Sequence, residues 1–326
     1  MPTNLPPHYF DAEKRYREAK TAPDKIAALE EMLAIMPKHK GTDHLKADLR
    51  RRIAKLMQSG GKKAAAQRAA MTVQKEGAAQ VPVIGTPNSG KSSIVNALTN
   101  ASPTVADYPF ATYTILPGMM EYENIQIQLL DTPPLVPGST LALLPPNLVR
   151  ADALLVVIDL SGDPLLQMET ITSELTGMRI GIGRTAGESN DEEIIRHNKK
   201  ALIIGNKIDI EGAVENYELM ELYRDDFPVL AVSAARGTGL EDLKLAIFRL
   251  LEIIRVYTKT PGQKPDMNDP IVLPMGSTLA DAATEVHKDF AANLKFARIW
   301  GSGKHDGVMA KRDHILQDGD IIELHL

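Results

Sequence analysis

The segment VPVIGTPNSGKSS, Val81 to Ser93, constrains this chain more than any other. It carries a GxxxxGKS pattern from Gly85 to Ser92, set between an apolar run and the helix-like stretch SSIVNALTN. A strand, a glycine-bearing loop and a helix in this order form a phosphate cradle. The glycines let consecutive backbone N–H groups curl around a β-phosphate, the lysine reaches the β- and γ-phosphates, and the serine hydroxyl ligates Mg²⁺. Gly85, Asn88, Ser89, Gly90, Lys91, Ser92 and Ser93 are therefore expected around a nucleoside triphosphate, with Lys91 as its charge partner and Ser92 as a metal ligand. The bland alternative is a glycine turn that merely joins strand to helix, and the flanking pattern argues against it.

The choice of base rests on a second element. ALIIGNKID begins at Ala201 and ends a strand-like run in Asn206, Lys207, Ile208 and Asp209. A carboxylate at Asp209 accepts from the ring N1–H and exocyclic amine of guanine, a pair of donors that adenine lacks. Further on, Ser233, Ala234 and Ala235 end another apolar run. Between these loops IQIQLL alternates like a strand and delivers Asp131 at its tip, the usual place for a carboxylate that holds the water shell of Mg²⁺.

Apolar runs VPVI, IQIQLL, ALLVVIDL, ALIIG and PVLAVS alternate with helical stretches from Val81 to about Leu251. That alternation predicts an α/β domain with a mostly parallel sheet and helices on both faces, its loops at the carboxyl ends of the strands where open sheets place ligands. Upstream, Asp11 to Met36 reads as a helix that Pro23 breaks, and a second helix starts near Thr42, so a helical hairpin is expected. Downstream of Ile254, short strands, a helix around Leu279, Ala283 and His287, and a hairpin-like DGD before IIELHL suggest a small β-grasp-like module. The division is residues 1–77 for the helical region, 78–254 for the nucleotide-binding domain and 255–326 for the last module.

The net charge of −5 is unevenly spread. Lys38 to Lys75 holds eleven Lys and Arg against Asp43 and Asp48, leaving 26 basic and 40 acidic residues elsewhere. A basic arm on an acidic body points to a polyanion such as structured RNA. A solvated helix face is the competing reading, since Leu45, Leu49, Ile53 and Leu56 form an apolar stripe that leaves the basic residues outward. With no cysteine, thiolate metal sites, disulfides and cysteine nucleophiles are excluded. The eight histidines show no metal-ligand spacing, and Trp300 reads as core rather than a stacking platform. No run approaches the length of a membrane span, and the first residues lack a signal-peptide apolar stretch, so a cytoplasmic protein with no membrane partner is expected.

GTPNSGKS, NKID and SAA in this order resemble the translation-factor-like GTPases. There, Asn206, Lys207 and Asp209 would hold guanine and the backbone of Ser233 to Ala235 would help read its O6. Adding YPFATYTILPG and the C-terminal stretches IRVYTKTPGQKPD, ARIWGS and LQDGDIIELH, the chain resembles the Obg-like, developmentally regulated GTP-binding proteins with a C-terminal TGS domain over nearly its whole length. The resemblance implies a P-loop GTPase that binds GTP and GDP, with Thr112 as switch threonine, Mg²⁺ ligand and γ-phosphate contact, although Thr114 competes for that alignment. It also implies ribosome or RNA association through the TGS domain and the N-terminal region, and a regulatory protein partner.

Three departures qualify it. The family glycine that offers its N–H to the γ-phosphate is replaced by Pro134, which has none. The following segment VPGSTLALLPPNLVRAD is apolar and proline-punctuated, with Leu135 where classical small GTPases have a water-orienting glutamine. An extra lobe that relatives insert before the NKID strand has no room here. Asn88 matches the asparagine that ligates K⁺ in related enzymes, where the cation supplies transition-state charge beside Lys91 and Thr112; a loop-shaping side chain is the alternative. Two functions stay open: a slow Mg²⁺-dependent GTPase acting as a ribosome- or RNA-associated switch, and a guanine-nucleotide-binding adaptor with impaired hydrolysis. An ATPase is disfavoured by Asp209.

Overall fold

The computed structural model describes residues 7–19, 22–36, 45–52, 72–99, 115–137, 143–183, 195–287, 294–302 and 306–325. It divides into two units, Met1–Thr72 and Val73–Leu326.

In the first unit, α1 (Pro7–Glu18) and α2 (Ala22–Ile35) precede α3, residues 45–52. Pro23 stands in the first turn of α2, where its missing N–H costs no helical hydrogen bond, so the break in the expected long helix falls just before it. Tyr9, Ala12, Leu29, Met32, Met36 and Leu49 form a small core. Arg50, Arg51 and Arg52 are exposed on α3, with Arg52 paired to Asp48 at 2.8 Å. Ile53, Leu56 and the basic residues from Lys55 to Arg68 lie outside the described residues.

The second unit opens with a six-stranded sheet in the order β2-β3-β1-β4-β7-β8. Its strands are β1 (Ala79–Gly85), β2 (Leu116–Tyr122), β3 (Ile125–Asp131), β4 (Leu154–Asp159), β7 (Ala201–Asn206) and β8 (Val229–Val232). Only β2 runs antiparallel to its neighbour. The period-two alternation sends Ile84, Val156, Ile158 and Ile203 to one face, covered by α5 (Leu144–Arg150), α6 (Pro164–Gly177) and α7 (Ala213–Leu219). Val81, Val83, Leu155, Val157, Leu202 and Ile204 point the other way, against α4 (Lys91–Leu98) and α8 (Leu240–Leu251). Burial on both faces explains why these strands read as continuous apolar runs. Between β4 and β7 lie α6 and the short parallel pair β5 (Ile180–Ile182) and β6 (His197–Lys199). Val73 to Glu76 are stitched to this domain, with Val73 N donating to Asn147 Oδ1 and Lys75 paired to Asp152.

The C-terminal part is a five-stranded sheet, β10-β9-β13-β11-β12. It comprises β9 (Ile253–Thr258), β10 (Ile271–Pro274), β11 (Phe296–Trp300), β12 (Val308–Ala310) and β13 (Asp320–His325), with α9 (Leu279–Val286) packed on one face. A reciprocal Thr278–Asp281 capping box starts α9. His287 follows the helix and is exposed, while Leu279, Ala282 and Ala283 face the core. The DGD stretch closes no hairpin. It feeds β13, which pairs with β9 and β11, and Asp318 serves instead as an anchor for Arg255. Trp300 is half-buried, with the Lys259 ammonium 4.1 Å from its ring centre. Among the described residues, no helix is long and apolar enough to cross a membrane.

Candidate nucleotide site

The carboxyl ends of β1, β3, β4, β7 and β8 share one edge of the sheet because these strands are parallel. That edge gathers Gly85, Asp131, Asp159, Asn206 and Ser233, residues far apart in the chain. Steric demands decide the glycines. A Cβ on Gly85 would lie 2.5 Å from the Val157 carbonyl, and one on Gly90 would lie 2.1 Å from Asn206 Nδ2. Gly90 also has φ of +91°, the left-handed conformation that glycine takes without cost. Asn88 shares that region at φ 61°, exposed at the loop tip.

Lys91 opens α4 and is buried, its ammonium donating to Thr86 O at 2.9 Å and Gly85 O at 3.3 Å. Burial lowers its pKa to about 8, opposed by the charge of Asp131. Ser92 and Ser93, one step along the first turn, are exposed at the mouth of the loop. Asp131 Oδ1 is buried without a partner, close to the Ser92 hydroxyl. Burial raises the Asp131 pKa, with Ser92 and then Lys91 opposing. Ser89 Oγ is likewise buried and unpartnered. An acceptor and a hydroxyl left unsatisfied beside a lysine fit a site shaped for a ligand.

Asn206 joins two loops. Its Nδ2 donates to Ser89 O at 2.9 Å and its Oδ1 accepts from Ala234 N at 3.2 Å. Lys207, at φ 68°, pairs with Asp159 Oδ2 at 2.5 Å. Asp209 lies at the surface; the Ser233 hydroxyl, chiefly, and Arg236 hold its carboxyl below the ordinary value. Ser233 is buried and accepts from Arg236 N, while Ala235 is exposed. Thr112 and Thr114 lie outside the described residues.

After Asp131 the chain turns back on the phosphate loop. Thr132 Oγ1 donates to Val83 O at 2.7 Å, and Leu135 N donates to Gly85 O at 2.9 Å. Three residues of this neighbourhood escape sequence reasoning: Asp159, the partner of Lys207; Arg236, beside Asp209; and Gln167, bonded to Thr86. None stands in a motif. Only the Asp163-Pro164 helix start marks where Gln167 falls.

Residues 80–207 match the 50S ribosome-binding GTPase family and residues 254–326 match the TGS domain. An uncharacterized GTP-binding protein of Methanocaldococcus jannaschii is 30% identical over 368 aligned positions, covering 92% of each chain. That alignment is longer than the 326 residues of this chain, so the relative has segments absent here. Developmentally-regulated GTP-binding protein 1 of Xenopus laevis is 28% identical, covering 92% of this chain and 98% of its own. Ribosome-interacting GTPase 1 of Saccharomyces cerevisiae is 26% identical, at 93% and 99%. In fold, the chain is similar to the YchF GTPase of Schizosaccharomyces pombe, with a TM-score of 0.54 at 13% identity over 77% of this chain and 99% of that one. The chain belongs to the developmentally regulated family of Obg-like GTP-binding proteins, GTPases that join a P-loop G domain to a C-terminal TGS domain.

Proposed function

We propose that this GTPase is a slow, Mg²⁺-dependent switch that works in the cytoplasm in association with the ribosome or structured RNA. The observation that carries this reading is the Asn206 bridge, which holds the phosphate loop against the loop of Ser233 to Ala235 so that phosphates and base are gripped together. In the reading, backbone N–H groups from Asn88 to Ser93 and the Lys91 ammonium take the phosphates. Asp209, with Asn206, Lys207 and the Ser233 to Ala235 backbone, takes the guanine.

The residues present fit Mg²⁺: the Ser92 hydroxyl stands beside Asp131, whose buried Oδ1 lacks a partner. These two, with Thr112, would hold the ion, which neutralises charge on the β- and γ-phosphates when bound. Asn88, exposed in its left-handed conformation, would offer its amide oxygen to K⁺. The exposed Arg50 to Arg52 and the TGS domain supply the contacts to RNA. The ribosome enters this reading through relatives such as the yeast ribosome-interacting GTPase.

A specific observation favours a second reading, a nucleotide-binding adaptor with impaired hydrolysis. Pro134 has no N–H, and the N–H that follows it is spent on Gly85 O. Multiple-turnover phosphate release in Mg²⁺ with K⁺ or Na⁺ separates the two. Turnover that rises with K⁺ supports the switch, and its absence beside tight GTP binding supports the adaptor.

A further inference from the structure

Helix α6 enters the nucleotide site through one side chain. Gln167 uses every hydrogen-bonding position of its amide. Oε1 accepts from Thr86 Oγ1 at 3.1 Å and from Asp159 N at 2.9 Å. Nε2 donates to Asp159 O at 2.8 Å and Asp163 O at 3.1 Å. The helix that carries it is firmly seated. Asp163 caps it by accepting from Leu165 N and Leu166 N, Pro164 fills the first position, and Met168, Ile171 and Leu175 are buried in the core.

We propose that Gln167 is a positioning residue for nucleotide binding, an amide that fixes the Thr86 shoulder of the phosphate loop against the tip of β4 and, through Asp159, steadies Lys207 of the base-reading loop. Two short paths carry the effect. The Thr86 carbonyl accepts from Lys91 Nζ at 2.9 Å, so a displaced Thr86 displaces the phosphate lysine. The Asp159 carboxylate pairs with Lys207 at 2.5 Å, so the same amide that holds the Asp159 backbone holds the far end of that pair. Both loops lie within one side chain's reach of Gln167, and small misplacements of ligating groups are costly. Asparagine is a methylene too short to reach Thr86 from the same helix position. Glutamate would lose both donors and set a charge against two carbonyls.

The proposal rests on reading Gly85–Ser92 as the phosphate loop and NKID as the base reader. The test is a double-mutant cycle on the full chain, with fluorescent GDP and a non-hydrolysable fluorescent GTP analogue as probes and the nucleotide-free melting temperature recorded for each variant. Thr86→Val and Gln167→Met should each weaken both nucleotides roughly threefold to tenfold, the range of one hydrogen bond. The double variant should be about as weak as the weaker single, and Thr86→Ser should recover most of the affinity. Effects that multiply in the double variant overturn the proposal, as does a lower melting temperature with unchanged affinity. If Gln167→Met does not fold, the Thr86 pair decides: equal affinities for valine and serine overturn it. Lys91→Ala is the control for the underlying reading. Unchanged binding there sinks the phosphate loop itself, whereas lost binding beside a multiplicative cycle removes only the role of Gln167.

Discussion

Leu135 N donates to the carbonyl of Gly85 at 2.9 Å, and the Leu135 side chain is buried. The segment after Asp131 is thereby tied to the first residue of the phosphate loop, with Pro134 contributing no donor of its own. A γ-phosphate at this site meets no N–H from residue 134, and the next one is already engaged.

Pro134→Gly should therefore raise the preference for GTP over GDP. One charge-assisted hydrogen bond is worth about 1.5 to 3 kcal/mol, and loosening a stiff Pro-Pro segment takes part of that back, so a gain of about tenfold is expected. GTP-analogue and GDP affinities of both forms, with and without K⁺, measure it. A wild type that already favours the triphosphate strongly, with glycine adding nothing, requires another donor and ends the case for an impaired switch.

Asp209→Asn should weaken GTP at least about a hundredfold and admit xanthosine triphosphate, because an amide donates to the xanthine carbonyl but repels the guanine amine. Competition titrations with the two nucleotides read the switch directly. Unchanged selectivity would remove Asp209 from base recognition.

Arg255 joins the two sheets of the second unit. Its guanidinium donates to both Asp318 oxygens and to Glu123, and stacks 5.0 Å from the Phe248 ring centre. Arg255→Met should lower stability by about 2 kcal/mol, through lost packing and loss of the guanidinium partner of Asp318, which keeps only the residue 255 N–H. Burial alone would raise the Asp318 pKa, but hydrogen bonds and charge from Arg255 outweigh it and pull it below 3.8. A depressed carboxyl stabilises the fold above its unfolded pKa and loses that contribution as pH falls through the folded value. Denaturant midpoints should therefore drop below about pH 4 in the wild type and less steeply in Asp318→Asn. Parallel curves for the two proteins would mean that this ion pair does not feed stability.

Deleting residues 1–72 removes the first unit while keeping Val73 to Glu76, which bond to the G domain. RNA or ribosome association should weaken and its salt dependence flatten, by roughly one slope unit per lost phosphate contact. Sedimentation with ribosomes across a salt series tests this. Identical profiles for both proteins would leave Arg50 to Arg52 as a solvated face.

The alternation of apolar runs and the spacing of Gly85–Ser92, Asp131, Asn206–Asp209 and Ser233 were enough to derive the parallel sheet and the strand-end edge on which these residues fall. Strand burial on two faces and phosphate cradling are local chemistry, written in consecutive residues. The tertiary structure alone decided the rest. Asn206 meets Ser89 from 117 positions away, and Gln167 meets Thr86 from 81, pairings set by which strands lie side by side. Asp318, legible only as part of a turn, became the anchor of Arg255 because β13 lies beside β9. Short-range patterns specify elements. Which polar side chains complete one another across those elements depends on strand order and helix seating, which no window of sequence contains.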